Sequence, residues 1–406
     1  MDSLGTAARK TIWRDARAIA LLMAAMLTTM ANATISPALP GLQRLFAEDP
    51  YAEILTRLLV PAPSLSVALS APIAGLAADR FGRRRLLLLG VILFVVAGSA
   101  GLFLPDLPTI FTSRLVLGLA VGLIMTAQTA LIGDYFSGAE RSALTGLQIS
   151  ARNFGGLVFI ALAGCAALIS PRMPFAIYAL ATILLPLMWR VIVDVSPLSP
   201  GQCVGAAAGT EGTSWRLFFS GLVLLQALTN LLFFIVPTQL PFFFDAHGHG
   251  GGFTGAALGT LMLSGGVFAL LYPRFYRTAS YAGVFVLGYA AMALGFALLS
   301  AGADALAFAG GASIGAGYAL VSPTFVALVL NLAPARRRGL AGGILTSSVF
   351  IGQFCSPLLS TPAISAFHYE GLFGGTALLL ATMALAAAVC AAVARLRSRL
   401  SPTASS

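Results

Sequence analysis

Gly75-Leu76-Ala77-Ala78-Asp79-Arg80-Phe81-Gly82-Arg83-Arg84-Arg85 places five charges within seven residues, between two long runs that carry none. Such a cluster, joining two apolar runs, reads as a tight water-exposed turn at one face of a membrane. The rest of the chain agrees. Of its 406 residues 9% are charged and 58% hydrophobic, against roughly 25% charged for a soluble globular domain. A polytopic membrane protein is implied, embedded in a lipid bilayer.

Stretches free of Asp, Glu, Lys and Arg give about twelve candidate spans of the roughly 17 to 25 residues a bilayer helix needs. They run from Ala18 to Gln43, Leu58 to Ala78, Leu86 to Pro105, Leu107 to Gly133, Ala143 to Pro171 and Met173 to Trp189. The second six run from Leu217 to Phe244, Phe253 to Pro273, Thr278 to Ala303, Ala305 to Ala335, Gly339 to Tyr369 and Gly371 to Ala394. Backbone polar groups in hydrocarbon must be satisfied within the segment, so apolar runs of this length mean helices and not barrel strands of about ten alternating residues. The expected fold class is all-α and integral to the membrane. The basic segment before Arg17 leads into a run longer than a signal-peptide core, and is expected to be retained with the first helix.

With the N-terminus placed in the cytoplasm, 19 of the 24 Lys and Arg fall inside and three (Arg44, Arg57, Arg172) outside, while Arg114 and Arg152 stay within spans. The 14 acids divide evenly. Positive-inside asymmetry concerns Lys and Arg in short loops, and it places both termini in the cytoplasm of a bacterial-type inner membrane. The net charge of +10 is dealt out loop by loop, which argues against nucleic acid as a partner. Cys165, Cys203, Cys355 and Cys390 fall in spans or in the central loop, where neither structural disulfides nor metal spacing is expected.

The chain repeats itself. A shift of 194 residues lays Ala78 to Arg83 over Tyr272 to Arg277; a shift of 197 lays Arg141 over Arg338 and the ladder Arg114, Gly118, Gly122 over Gly311, Gly315, Ala319. Two six-helix bundles related by a parallel repeat are expected, residues 1–194 and 216–406, joined by a cytoplasmic loop at 195–215. Repeats of this kind are a recurring plan of secondary transporters, with the substrate site near the midplane between the halves.

On these residues the chain resembles the major facilitator superfamily over nearly its whole length. The loop motif Gly-x-x-x-Asp-Arg-x-Gly-Arg-Arg is matched by Gly75, Asp79, Arg80, Gly82, Arg83 and Arg84, and the fourth-helix motif Arg-x-x-x-Gly-x-x-x-Gly by Arg114, Gly118 and Gly122. Asp134 and Arg141 sit where the family carries charges after the fourth helix. Pro37-Ala38-Leu39-Pro40 ends the first helix as in many drug and metabolite efflux members. The resemblance implies that Asp79, Arg83 and Asp134 form a charge network latching the cytoplasmic side, which would bias the conformational equilibrium without touching substrate. One departure stands out: Phe159 and Ile160 replace the Gly-Pro pair of the fifth-helix efflux signature, although Gly146 and Gly155 keep one glycine spacing.

A guanidinium within a span is costly unless it meets a cavity or a partner. That makes Arg114, about 10 Å from the outer end of its helix, and Arg152, about 15 Å from the inner end of its own, candidates for the substrate path. No acid lies mid-span, so the cavity is expected to favour an anionic or acceptor-rich substrate (a carboxylate, or a chelator such as a siderophore) over a lipophilic cation. Alternatively, Arg114 bonds backbone carbonyls and only stabilises its half. Asn32, Gln128, Gln148, Asn153, Asn230, Gln239 and Gln353 are further path candidates, or glue between helices. Glu53, with Arg57, and Asp134 are the candidates for proton coupling. His247, His249 and His368 fall near outer loops, and His247-Gly248-His249 makes a weak metal site. Pro37, Pro40, Pro237, Pro241, Pro323 and Pro357 are candidate kinks.

Three classes of function are weighed: a secondary transporter, an integral membrane enzyme, and a receptor or scaffold. No convergent catalytic set appears, no cofactor is called for, and the longest loop is too short for a soluble domain. The reading is a monomeric, proton-coupled exporter of a small organic molecule working by alternating access. Uptake by proton or solute symport is the alternative.

Overall fold

The computed structural model describes residues 13–194, 213–333 and 338–400, and every regular element among them is helical. The first span, Ala16–Ala33, begins on Asp15, whose carboxylate accepts from the Arg17 N–H at 2.8 Å, the usual manner of satisfying orphan donors at a helix start. Burial works to raise the Asp15 pKa, but the hydrogen bonds and charge of Arg17 prevail and hold it below the ordinary value. The span breaks at a 3₁₀ turn, Ser36–Ala38, and resumes as Leu39–Leu45.

The second span starts earlier than its apolar run suggests. A helix at Ala52–Leu58 leads into Ala62–Phe81 with a bend of 53° between them, where Pro61 and Pro63 remove two backbone donors. Glu53 and Arg57 therefore lie on the helix and not in a loop before it. The third, fourth and fifth spans are Arg83–Ser99, Leu107–Tyr135 and Gly138–Ile169.

The sixth opens as a 3₁₀ helix, Met173–Ile183, and ends as Leu184–Val191. Eleven residues of 3₁₀ are unusual, and packing accounts for them. With three residues per turn, Phe175 and Tyr178 share a face, and they press on Gly101 and Gly98 of the third span, also three apart; a Cβ there would stand 2.3 and 2.5 Å from the rings.

The second bundle holds Thr213–Ala246, Gly251–Thr278, Tyr281–Ser300 and Asp304–Leu332. The last helical stretch, Arg338–Leu400, runs 63 residues, about 95 Å at 1.5 Å per residue and three times a bilayer core. It is broken at His368, with φ 58° and ψ 177°, into an eleventh and a twelfth span at 338–367 and 369–400. The described residues thus carry ten to twelve membrane-length helices, consistent with the twelve spans expected.

The repeat is visible in how helices touch. A Cβ on Gly118 of the fourth span would lie 2.2 Å from the Pro63 carbonyl of the second; on Gly315 of the tenth it would lie 2.1 Å from the Leu261 carbonyl of the eighth. Glycines 197 residues apart permit the same close crossing in each bundle.

Candidate functional site

The two bundles meet along two seams, one between the fifth and eighth spans and one between the second and eleventh. Gly255 and Gly164 bring backbones together in the first seam, a Cβ on Gly255 lying 3.0 Å from the Gly164 Cα. Contact continues to midspan, where Asn153 faces Gly265 and Phe154 faces Gly266. Toward the end carrying Arg80 to Arg85, the basic end, it stops: a Cβ on Gly146, Gly342 or Gly343 would meet nothing within 4 Å. Among the described residues the interface is shut at the end opposite the basic one and parts toward the basic end.

Polar bridges close the shut end, and one of them follows from proline. Pro241 has no N–H for the Pro237 carbonyl one turn back, and the Ser36 hydroxyl of the other bundle donates to that carbonyl. Arg57, buried, donates to Gln239 across the interface and to Glu53 of its own helix at 3.2 Å, with its guanidinium 4.5 Å from the Phe242 ring centre. Gln239 in turn donates to Ser360 at 2.8 Å and Thr361 at 3.2 Å. Ser64 donates to Gln353 at 2.7 Å. Arg44 and Asp245 pair at 2.5 Å on the exposed rim.

Arg114 is fully buried and gives two of its nitrogens to carbonyls that helix breaks leave over, while its third, Nη1, is buried without a partner among the described residues. Its Nε donates to Leu59 at 3.3 Å, the carbonyl that the Pro63 nitrogen cannot serve, and an Nη donates to Ala31, at the end of the first helix. The Tyr178 hydroxyl joins at Ala31, at 3.1 Å, and the Tyr178 ring lies under the guanidinium at 5.1 Å. Gln128 likewise donates to the Leu21 carbonyl at 2.5 Å. Both expected path residues therefore tie the fourth span to the first. Asn32 stands one residue past Ala31, with its Oδ1 buried and without a hydrogen-bond partner among the described residues.

Arg152 is placed differently. The fifth helix starts five residues before the apolar run does, so Arg152 lies about 21 Å from the helix start, at mid-depth. Across the interface, also about 21 Å along its helix, is Tyr318 of the tenth span, within electrostatic reach of Arg152. The Tyr318 hydroxyl donates to Asn230 Oδ1 at 2.7 Å, and its ring stacks on Phe233 at 3.9 Å between centres and 15° between planes. Arg152 Nε is buried and has no hydrogen-bond partner among the described residues. Asn153, beside it, donates to its own helix at the Ile149 carbonyl, 3.0 Å away. Met26, Thr29 and Met262 pack around Gly155 and Gly156 one turn on. The sequence named Arg152, Asn153 and Asn230 but neither aromatic; a tyrosine at the centre of an apolar run was the signal available for Tyr318.

At the basic end Arg83 pairs with Asp134 within the first bundle, and Arg141 lies over Gly133. Arg80 is exposed over the Phe81 ring. The side-chain surroundings of Gly75 and Asp79 lie outside the described residues, as do Cys203 and most of the loop expected at 195–215. Asp194, not singled out in the sequence, completes this corner. It accepts from the Arg84 N–H at 2.8 Å, and its Oδ2 would stand 2.9 Å from a Cβ at Gly82, whose φ of 90° already favours glycine. Arg84 also donates to the Trp189 carbonyl at 2.7 Å.

The histidines stay at the shut end. His249 pairs with Asp304 at 2.9 Å and stacks on Phe253, lining a cleft of about 90 Å³ with Pro37, Gly41, Arg44 and Asp245. His247 bonds the Phe243 carbonyl at 2.8 Å. No three His, Cys, Asp or Glu among the described residues converge as metal ligands, and Cys165, Cys355 and Cys390 are free thiols.

The model of the Major Facilitator Superfamily matches residues 21–302. Quinolone resistance protein NorA of Staphylococcus aureus is 24% identical over 324 residues, 77% of this chain and 81% of that protein. Among solved structures, the inward open conformation of the xylose transporter XylE from E. coli superposes with a TM-score of 0.73 at 17% identity, over 91% of this chain and 94% of that one. The human organic anion transporter MFSD10 (TETRAN) superposes with a TM-score of 0.69 at 18% identity, over 91% and 99%.

Proposed function

This chain belongs to the Major Facilitator Superfamily and is a multi-pass membrane transporter, and on that premise we propose that it exports a small organic anion in exchange for protons by alternating access. One observation carries the substrate charge: Arg57, Arg84 and Arg114 also leave one nitrogen buried and unpartnered, but each gives others to protein acceptors, whereas Arg152, at mid-depth between the bundles, makes no hydrogen bond among the described residues, and the acids of the described spans pair elsewhere or lie toward the ends. A guanidinium in so poor a solvent is stabilised by any anion that reaches it. Export rather than uptake is supported by the Pro37-Ala38-Leu39-Pro40 ending of the first helix and by the similarity to a drug-resistance protein over three quarters of the chain.

Rocking of the two bundles supplies the cycle. The bundles are joined at the end with Arg57 and parted at the basic end, which the positive-inside asymmetry assigns to the cytoplasm. An anion then enters from the cytoplasmic side and meets Arg152. Release on the other side needs the Arg57, Ser36 and Ser64 bridges to break. Glu53, half exposed and paired with Arg57, is the carboxylate best placed to link protons to that opening.

Metabolite profiling checks the direction. Cells lacking the gene accumulate more of the transported anion, and restoring the chain clears it, whereas Arg152→Gln restores clearance of neutral compounds only. Lower accumulation in the deletant overturns export in favour of symport.

A further inference from the structure

Most ring pairs of the second bundle are tilted or edge-on, and only a few, the buried Phe285 and Tyr289 among them, are stacked. Phe233 and Tyr318 are nonetheless nearly parallel, at 15°, with centres 3.9 Å apart. Three features hold them so. The Tyr318 hydroxyl is tied to Asn230; Asn230 is anchored by its own amide to the Gln226 carbonyl at 2.9 Å; and Phe233 is buried, while Tyr318 is only half-buried. Both members are thus held in place, Phe233 buried and Tyr318 less so.

Tyr318 lies at the depth of Arg152 and within its electrostatic reach. One turn on from Arg152, Met26 and Thr29 of the first span and Met262 of the eighth pack on Gly155 and Gly156. Thioether sulfur and methyl groups pack well on aromatic edges and faces, and they adapt to ligand shape. The second bundle thus presents an ordered aromatic pair within electrostatic reach of Arg152, and methionines pack on the next turn of the Arg152 helix. Anion recognition alone needs only the cation; the flat, tethered wall adds a demand for shape.

We infer that this site selects planar aromatic carboxylates, with the ring extending the Phe233–Tyr318 stack and the carboxylate on Arg152. The inference rests on the anion-export reading for Arg152 and adds the aromatic requirement. Aliphatic anions of the same charge and size should bind less well, because they cannot stack; neutral aromatics should bind less well, because they leave the guanidinium unpaired.

Three probes separate these demands by titration calorimetry on the purified full chain: 2-naphthoate, its fully reduced decahydro counterpart, and 2-naphthamide. The expected order is 2-naphthoate tightest, with each of the others at least fivefold weaker. Phe233→Leu should bring 2-naphthoate down to its reduced counterpart while leaving the latter unchanged, and Arg152→Gln should bring it down to the amide. Should Phe233→Leu fail to fold, Tyr318→Leu tests the same wall from its half-buried side. Tyr318→Phe keeps the ring and should keep most of the aromatic preference. Equal binding of 2-naphthoate and the decahydro acid overturns the aromatic inference while leaving the anion reading intact. Equal binding of 2-naphthoate and the amide overturns the anion reading, and no binding of any probe overturns both.

Discussion

The two ends of the molecule use the same kinds of side chain to different effect. At the shut end, Arg57 with Gln239, Ser36 with the Pro237 carbonyl, Ser64 with Gln353 and Arg44 with Asp245 each cross from one bundle to the other. At the basic end, Arg83 with Asp134, Arg84 with Asp194 and Tyr135 with Val193 stay within the first bundle. Bonds across the interface favour one conformation over the other, whereas bonds within a bundle travel with it and leave the equilibrium alone. The shut end therefore holds the observed state, and the charged pairs described at the basic end brace the first bundle from within.

Removing Arg57 should break that contrast most strongly. It is a buried charge that bridges the bundles, and a hydrogen bond from a charged group to a buried neutral partner contributes about 1.5 to 3 kcal/mol. A shift of that size moves a two-state equilibrium by roughly tenfold to a hundredfold. Arg57→Gln should open the far end, so that a cysteine placed at Ala38, buried beside the cleft there, becomes reactive to a membrane-impermeant thiol reagent, and transport should fall at least tenfold. Gln239→Glu, which gives Arg57 an anionic partner, should act in the opposite direction, protecting that cysteine and slowing turnover. The same labelling in both variants would show that the bridge does not hold the gate.

Glycine substitution sharpens the comparison at lower cost. A Cβ on Gly255 would sit 3.0 Å from the Gly164 Cα and 3.1 Å from the Ile160 carbonyl, while one on Gly146 would meet nothing within 4 Å. Gly255→Val should thus cost about 1 to 3 kcal/mol of overpacking at the seam, read as a lower unfolding temperature and easier labelling at the far end. Gly146→Ala, by contrast, should be neutral or slightly stabilising, since alanine is the better helix former by up to about 1 kcal/mol. Equal losses from both would mean that the bundles also close on the basic end.

Much of this was legible in the sequence, and the exceptions share a cause. Span number, the repeat and the turn at Arg80 to Arg85 follow from hydropathy and charge, which act residue by residue. Arg57 did not: it was set just outside the second span because charge ends an apolar run, and only the fold supplies Gln239, 182 positions away, to make its burial tolerable. Arg114 was legible as buried, yet its roles as path residue and as brace could not be separated until the helix breaks at Thr34 and Pro63 exposed the carbonyls it serves. The aromatic wall escaped notice because Phe233 and Tyr318 differ from core residues only in whom they face. Pro237 and Pro241 were identified as kinks, but the consequence that matters is a carbonyl left free for Ser36 of the other bundle.

The smallest effect should come from the most conspicuous bridge. Arg44 and Asp245 pair at 2.5 Å, but their side chains are 66% and 32% exposed, and pairs so solvated are worth about 0 to 1 kcal/mol. Asp245→Asn should therefore raise labelling at the far end only a fewfold, and mostly at low ionic strength, because screening at about 0.15 M salt already reaches within 8 Å. Arg57→Gln should keep its effect at any salt concentration, since water and ions do not reach a guanidinium lodged between Gln239 and Phe242. Measuring both variants across a salt series ranks the bridges by burial and not by distance. If Asp245→Asn proved the larger and salt-insensitive change, the gate would lie at the rim, and Arg57 would be a brace like Arg114.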